Sequence, residues 1–354
     1  MTHEHYMRRC LQLALLGQGN VAPNPMVGAV LVHAGLIIGE GYHQQYGQAH
    51  AEVNCINAVL PQHRHLIVHS TLYVSLEPCA HHGKTPPCAH FIVNQGIRQV
   101  VVGCRDAFSQ VNGKGIAILH AAGVSVTESV LEAECLQLNR AFFCFHQWQR
   151  PYVVLKLAQS ANGCMAEAAG GAPAKRLHIS HPLTNRLVHA WRSQFAAILV
   201  GSRTALLDNP KLDVRLWQGK NPIRVLLDGQ LQVPQTHHLY DGTAPTMVFN
   251  AQRNATEAHA ELIKLSADNP GLDAVLAKLH QRHIQSVLVE GGPTVLAAFI
   301  AAGLWDEARV ITNRNLMIDN GLSAPRLTGQ LQVHCTRIAT DEVIIYERRL
   351  LQNP

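Results

Sequence analysis

His50-Ala51-Glu52, then Pro78-Cys79 and, nine residues further on, Cys88 are the residues of this chain best equipped for chemistry. An imidazole and two thiolates are soft donors suited to Zn²⁺, and three protein ligands leave a fourth position free for water. That free position separates a catalytic zinc from a structural one. Glu52 stands two residues past the histidine, close enough to carry protons to and from a bound water without itself ligating. The reading at this point is a hydrolytic zinc centre, with His50, Cys79 and Cys88 as metal ligands and Glu52 as the catalytic acid–base.

An H-x-E tripeptide alone carries little weight in a chain with 22 histidines and 24 acidic residues, and neither does an isolated cysteine pair. The flanks add the weight. Residues 71–76 read as a buried strand that Glu77-Pro78 ends. Cys79 is then expected near the first turn of the next helix, where the dipole and free N–H groups favour a thiolate. H-x-E followed by P-C and a second cysteine is the signature of zinc-dependent nucleobase deaminases.

Elements that position these residues follow from periodicity. The first half predicts helices over 4–17, 50–60, 88–95 and 114–122, with strands over 29–32, 36–39, 72–76, 99–103 and 124–127. Strands interleaved with helices imply a sheet between helical layers. Near Trp148-Gln149-Arg150-Pro151 the pattern restarts. A second α/β set comprises strands over 152–157, 196–200, 223–227, 246–249, 286–290, 307–312 and 343–347, and helices over 182–193, 273–282 and 294–302. The boundary is placed to give domains 1–146 and 147–354.

Composition narrows the function classes. With 354 residues, 47% hydrophobic and 15% charged, the chain can bury two ordinary cores. No run of about 18 apolar residues suggests a membrane span, and the N-terminus lacks a secretory pattern. A formal charge of +5 without a basic stripe speaks against a nucleic-acid partner. Nine cysteines, an odd number without framework spacing, suit a reducing cytoplasm.

The segment Ser75-Leu76-Glu77-Pro78-Cys79-Ala80-His81-His82-Gly83-Lys84-Thr85-Pro86-Pro87-Cys88 closes its cysteine pair as C-x₈-C, where most nucleobase deaminases use C-x-x-C. With Pro23-Asn24-Pro25-Met26-Val27-Gly28, Gly39-Glu40-Gly41-Tyr42-His43 and Val111-Asn112-Gly113-Lys114-Gly115, it closely resembles the bifunctional riboflavin-biosynthesis deaminase/reductases. In the second half Arg192-Ser193, Thr204 through Pro210, Asn221 through Val225 and Val289 through Thr294 resemble the same family.

The resemblance implies a cytidine-deaminase-like α/β/α sandwich followed by a dihydrofolate-reductase-like α/β domain. The first would deaminate 2,5-diamino-6-(5-phosphoribosylamino)pyrimidin-4(3H)-one, and the second would reduce the ribosyl group to ribityl with NADPH. It also implies a homo-oligomer acting on a small phosphorylated pyrimidine. Asn24, His43 and Lys84 fall in family-matching segments that line the substrate pocket or support it. Ala158, Thr204, Asp208 and Gly292-Pro293-Thr294-Val295-Leu296 become cofactor contacts. Arg192, Leu212, Arg215 and Glu290 become substrate contacts, the arginines being suited to a 5′-phosphate, and Arg176 and His178 lie in an irregular neighbouring loop.

From the residues alone the reductase half is less distinctive. There is no G-x-G-x-x-G; a strand running through Gly291-Gly292 into a helix is either a phosphate site or a simple turn. Two segments depart from the family pattern: Ser160-Ala161-Asn162-Gly163 has Asn where the family has Asp, and 315–321 replaces a P-x-L-L-G segment. The competing readings are a monofunctional deaminase with a non-catalytic second domain, a tRNA or cytidine deaminase, and a non-enzymatic zinc module.

Overall fold

The computed structural model describes residues 2–80, 87–107, 112–167, 177–268 and 270–348. The chain divides into two compact units, residues 1–149 and 150–354.

The first unit holds α1 (His3–Leu15), β1 (Gly28–His33), β2 (Leu36–Tyr42), α2 (Ala51–Asn57), β3 (Thr71–Leu76), α3 (Cys88–Asn94), β4 (Gln99–Cys104), α4 (Lys114–Ala121), β5 (Ser125–Thr127), α5 (Glu132–Leu138) and α6 (Arg140–Trp148). Its sheet runs β2-β1-β3-β4-β5, with β1 antiparallel to β2 and β3, and β3, β4 and β5 parallel. Every strand residue from Gly28 to Val32 is buried, because both sheet faces are covered. Ala29, Leu31, Leu72, Val74, Val100 and Val102 pack one face with Ala51, Ile56, Ile92 and Leu119 of the helices. Val30, Val32, Tyr73 and Val101 pack the other with Tyr6, Met7 and Leu13 of α1. Alternation along each strand thus produces a three-layer sandwich. The pair α5–α6 lies where periodicity indicated nothing, since the buried run Phe142–Phe145 has no helical spacing of its own.

The second unit holds β6 (Tyr152–Ser160), β7 (Cys164–Glu167), α7 (Pro182–Arg192), β8 (Ala197–Gly201), α8 (Ser202–Asp208), β9 (Ile223–Leu227), β10 (Thr246–Asn250), β11 (Ala255–Thr256), β12 (Ala260–Lys264), α9 (Leu272–Gln281), β13 (Ser286–Val289), α10 (Pro293–Ala302), β14 (Glu307–Asn313), β15 (Gly321–Ser323), β16 (Gln330–Ile338) and β17 (Asp341–Arg348). Its ten-stranded sheet runs β11-β12-β10-β9-β8-β13-β6-β14-β17-β16. The seven strands from β12 to β14 are parallel; β11 at one edge and β17-β16 at the other are antiparallel. Late in the chain, β13 inserts between β8 and β6, so α8 and α10 start side by side beyond neighbouring strand ends. Crevices of this kind receive ligands in open α/β sheets. β16 is absent from the strands read in the sequence; its Leu331 and Val333 alternate with polar residues, but both are about half exposed.

Candidate active sites

In the first unit, α2 and α3 bring the zinc donors together. His50 is the N-cap of α2 in an extended conformation, and its carbonyl accepts from Asn54 N–H at 3.0 Å. A Cβ at Gly41 would stand 2.2 Å from the Cys55 nitrogen, so α2 crosses β2 at backbone contact and only glycine permits it. Nδ1 of His50 lies 3.5 Å from Cys79 Sγ and 3.3 Å from Cys88 Sγ, and all three donor atoms fall within 4.8 Å of one another. The helix after β3 begins at Cys88, where the 88–95 reading put it, so Cys79 is not in its first turn as expected; yet the Cys88 amide donates to Cys79 Sγ at 3.3 Å, so the helix start serves Cys79 through space.

The electrostatics suit a cation. The Cys88 thiol and His50, through hydrogen bonds, hold the Cys79 thiol well below its ordinary value despite burial. Its bonded partner Cys88 is pushed up by Cys79, by burial and by Glu52. An imidazole and two soft sulfur donors, with the Cys79 thiol held low, fit Zn²⁺, whose binding would favour the deprotonated thiols. Glu52, in the first turn of α2, is only 3% exposed. Burial raises its carboxyl, with Cys79 adding and His50 opposing, so it is readier to hold a proton than a surface glutamate.

Around this centre stands a supporting frame. His43 Nδ1 bonds the Ala49 carbonyl at 3.1 Å, its Nε2 meets Asn24 Nδ2 at 3.1 Å, and its ring stands edge-on to His50 at 5.3 Å. Burial lowers the His43 imidazole, with His50 adding and the Ala49 carbonyl opposing, which favours its neutral form. Lys84 lies outside the described residues.

The sequence reading passed over Glu77, treating it as a strand terminator. Its buried carboxylate accepts four backbone N–H groups, from Asp106 (3.2 Å), Gly113 (2.9 Å), Gly115 (3.0 Å) and Ile116 (3.4 Å), and so holds the start of α4. Gly115 must be glycine, because a Cβ there would lie 1.9 Å from the Pro78 carbonyl oxygen. The Asn-Gly-Lys-Gly motif is therefore a clamp on the Pro78-Cys79 turn. An acidic residue just before P-C, with glycines downstream, was the signal available.

In the second unit Arg192 and Glu290 meet as a buried pair. Nε and Nη2 of Arg192 each donate to the Glu290 carboxylate at 2.8 Å, and Nη1 donates to the Asp213 carbonyl at 3.0 Å. Burial alone would raise the Glu290 carboxyl, but Arg192 holds it down to about 2, with Lys156 and His189 contributing. Burial lowers His189 to about 4, helped by Arg192 and Arg215. Arg192 thus shares its charge with Glu290, and three of its five N–H donors are engaged. Arg215 is 48% exposed on its side chain and pairs with Asp213.

Thr204 and Gly292 are neighbours: a Cβ on Gly292 would sit 3.2 Å from Thr204 Oγ1. Gly292 is the N-cap of α10 with ordinary φ −70°, and Pro293 occupies N1. The amides of Thr294 and Val295 in that first turn have no partner within the helix. Two of the expected contacts have buried side chains. Leu296 is 0% exposed within the core and its amide bonds the Gly292 carbonyl at 3.2 Å, so it has nothing to offer a cofactor. The Leu212 side chain packs with Ala205 and Leu226, leaving only its peptide, at φ 52°, to face a ligand. Asp208 ends α8, half-buried. Ala158 packs against the cluster of Cys164, Ile179 and Ile318, and His178 is exposed before α7. Arg176 lies outside the described residues. Lys156, not singled out from sequence, lies on β6 near Glu290, beside Arg309 of β14 in register.

Comparison with known proteins settles the family. Residues 1–104 match the cytidine and deoxycytidylate deaminase zinc-binding region, and residues 151–339 match the RibD C-terminal domain. Riboflavin biosynthesis protein RibD of Bacillus amyloliquefaciens is 40% identical over 86% of this chain and 82% of its own length. The chain belongs to the RibD family. RibD of Escherichia coli (strain K12) is 36% identical over 87% of this chain and 86% of its own. The crystal structure of a diaminohydroxyphosphoribosylaminopyrimidine deaminase/5-amino-6-(5-phosphoribosylamino)uracil reductase from Thermotoga maritima superposes with a TM-score of 0.88 at 33% identity, covering 98% of each chain. Acinetobacter baumannii RibD gives 0.86 at 29% identity, again over 98% of each. As a RibD-family member this protein is a bifunctional deaminase and reductase of riboflavin biosynthesis that uses zinc and NADPH.

Proposed function

We propose that the first unit deaminates 2,5-diamino-6-(5-phosphoribosylamino)pyrimidin-4(3H)-one at His50, Cys79, Cys88 and Glu52, and that the second reduces the ribosyl group of the product. The observation that carries the reading is the meeting of three soft donors beside a buried glutamate. His50, Cys79 and Cys88 would hold zinc, which would supply an acidified water for attack on the amino-bearing ring carbon. Glu52 takes the proton released by that water and returns it to the departing amine, leaving ammonia and the ring carbonyl. Glu77 keeps the Pro78-Cys79 turn in place during this exchange.

NADPH, when bound in the second unit, would supply the hydride for the sugar carbon; Thr204 and the first turn of α10 are the residues that would hold its phosphates, and Arg192, fixed by Glu290, orients the 211–215 segment toward the substrate. The substrate is a small phosphorylated pyrimidine, and the assembly is read as a homo-oligomer on resemblance alone. A cytoplasmic setting suits nine free cysteines and a site that needs a thiolate; among the described residues no helix is long and apolar enough to cross a membrane. The test is a coupled assay on the diaminopyrimidinone phosphate with and without NADPH, alongside metal analysis. Ammonia release without NADPH, NADPH oxidation only after deamination, and one zinc per chain that Cys79→Ser lowers are expected. Deamination with no NADPH oxidation would leave the monofunctional reading standing.

A further inference from the structure

The loop between α1 and β1 brings Asn24 to His43, and a buried side chain from late in the first unit holds that loop. Asn139 lies between α5 and α6, 113 residues beyond Met26 in sequence. Its carboxamide brackets the Met26 backbone: Met26 N–H donates to Oδ1 at 2.8 Å, and Nδ2 donates to the Met26 carbonyl at 2.9 Å. Asn139 is only 3% exposed, so water hardly competes for either bond. Its own backbone is fixed in turn, because Phe143 N–H of α6 donates to its carbonyl at 3.0 Å.

From Met26 two links run toward the metal donors. The Val27 carbonyl accepts His43 N–H at 2.9 Å, and the Asn24 carboxamide meets Nε2 of the His43 ring, which stands edge-on to His50. These bonds decide which way the Asn24 amide lies. The Ala49 carbonyl can only accept, so Nδ1 of the neutral His43 ring carries the hydrogen and Nε2 is an acceptor. Asn24 then turns its NH₂ to His43, and its Oδ1 has no donor among the described residues. An acceptor one ring away from a zinc ligand suits a substrate whose ring presents N–H and NH₂ groups.

We propose that Asn139 is a positioning residue of the deaminase: by bracketing Met26 it sets where Asn24 offers that acceptor to the substrate ring. This rests on the reading of the first unit as a deaminase of an amino-bearing pyrimidine. The bracket demands an amide, since it needs a donor and an acceptor on one planar group. Residues 16–27 form no helix or strand, so the placement of Asn24 depends on such single bonds.

The test uses the full-length zinc protein carrying Glu52→Gln, so that bound diaminopyrimidinone phosphate is not turned over. Its Kd is measured by equilibrium titration in this parent and after adding Asn139→Ala, Asn24→Ala or both, with zinc per chain determined for each. Either single change should weaken binding about tenfold with one zinc per chain kept. Because Asn139 acts through Asn24, the double variant should also be about tenfold weaker, not about a hundredfold, a non-additivity that a merely structural role would not produce. Asn139→Thr, close to asparagine in volume but unable to make both bonds, is run in parallel in case the alanine variant does not fold, with the same result expected. Binding within twofold of the parent, multiplied losses in the double variant, or loss of zinc or of folded protein in both Asn139 variants would each overturn the proposal. A chain with Glu52 intact that releases no ammonia from the diaminopyrimidinone phosphate would instead bring down the deaminase reading beneath it.

Discussion

Arg192→Met tests how the second site is built. The change keeps an unbranched side chain and removes a charge with three hydrogen bonds, two to Glu290 and one to the Asp213 carbonyl. Glu290 then remains buried without its partner. Its carboxyl is held down to about 2 against an ordinary 4.5, and that gap corresponds to roughly 3 kcal/mol. Breaking a buried pair by removing one member costs about 3–5 kcal/mol, the same order. The variant should therefore lose about 3 kcal/mol at about pH 7. The folded carboxyl titrates below the unfolded one, so this contribution is complete above 4.5 and disappears as pH falls toward 2. The gap between wild type and variant should narrow along that path. Adding Glu290→Leu should recover most of the loss, since an apolar pair of similar volume is nearly neutral. Urea denaturation followed by tryptophan fluorescence is the assay, because Trp191 adjoins the pair and is buried. Deamination should stay constant throughout. A single variant within about 0.5 kcal/mol of the wild type, or a double variant no better than the single, would refute the reasoning.

Three further outcomes are expected. Glu52→Gln keeps size and polarity but cannot accept a proton, so zinc content should hold while deamination falls at least about a hundredfold and reduction of deaminated substrate is untouched; near-normal ammonia release would end that assignment. Glu77→Gln turns an NH₂ toward amides that now find a carboxylate, so the melting temperature and zinc retention should both drop, by about 1–3 kcal/mol in stability; an unchanged melt would show the clamp to be unimportant. Gly292→Val should close the gap to Thr204 and abolish NADPH oxidation with deamination intact; titration showing unaltered NADPH binding would place the phosphates elsewhere.

Sequence alone determined the chemistry and most of the frame. Soft donors at distinctive spacing name a metal whatever the fold. Strands buried on both faces, such as β1, read as apolar runs because the pleat must fill two layers at once. Where aromatics crowd without period, as in α6, one-dimensional patterns carried no signal. Tertiary structure decided which polar groups neutralise one another. The sequence gives no hint that Arg192 is paired with Glu290, 98 residues away. Leu296 read as a cofactor contact until the helix turned it into the core. Glu77 and Asn162 looked like a strand end and a lapse from pattern; each is a side chain satisfying backbone groups that only folding brings within reach. Residue type and spacing fix what a group is able to do, whereas its charge state and free valence depend on neighbours distant in sequence, and those exist only once the chain has closed around them.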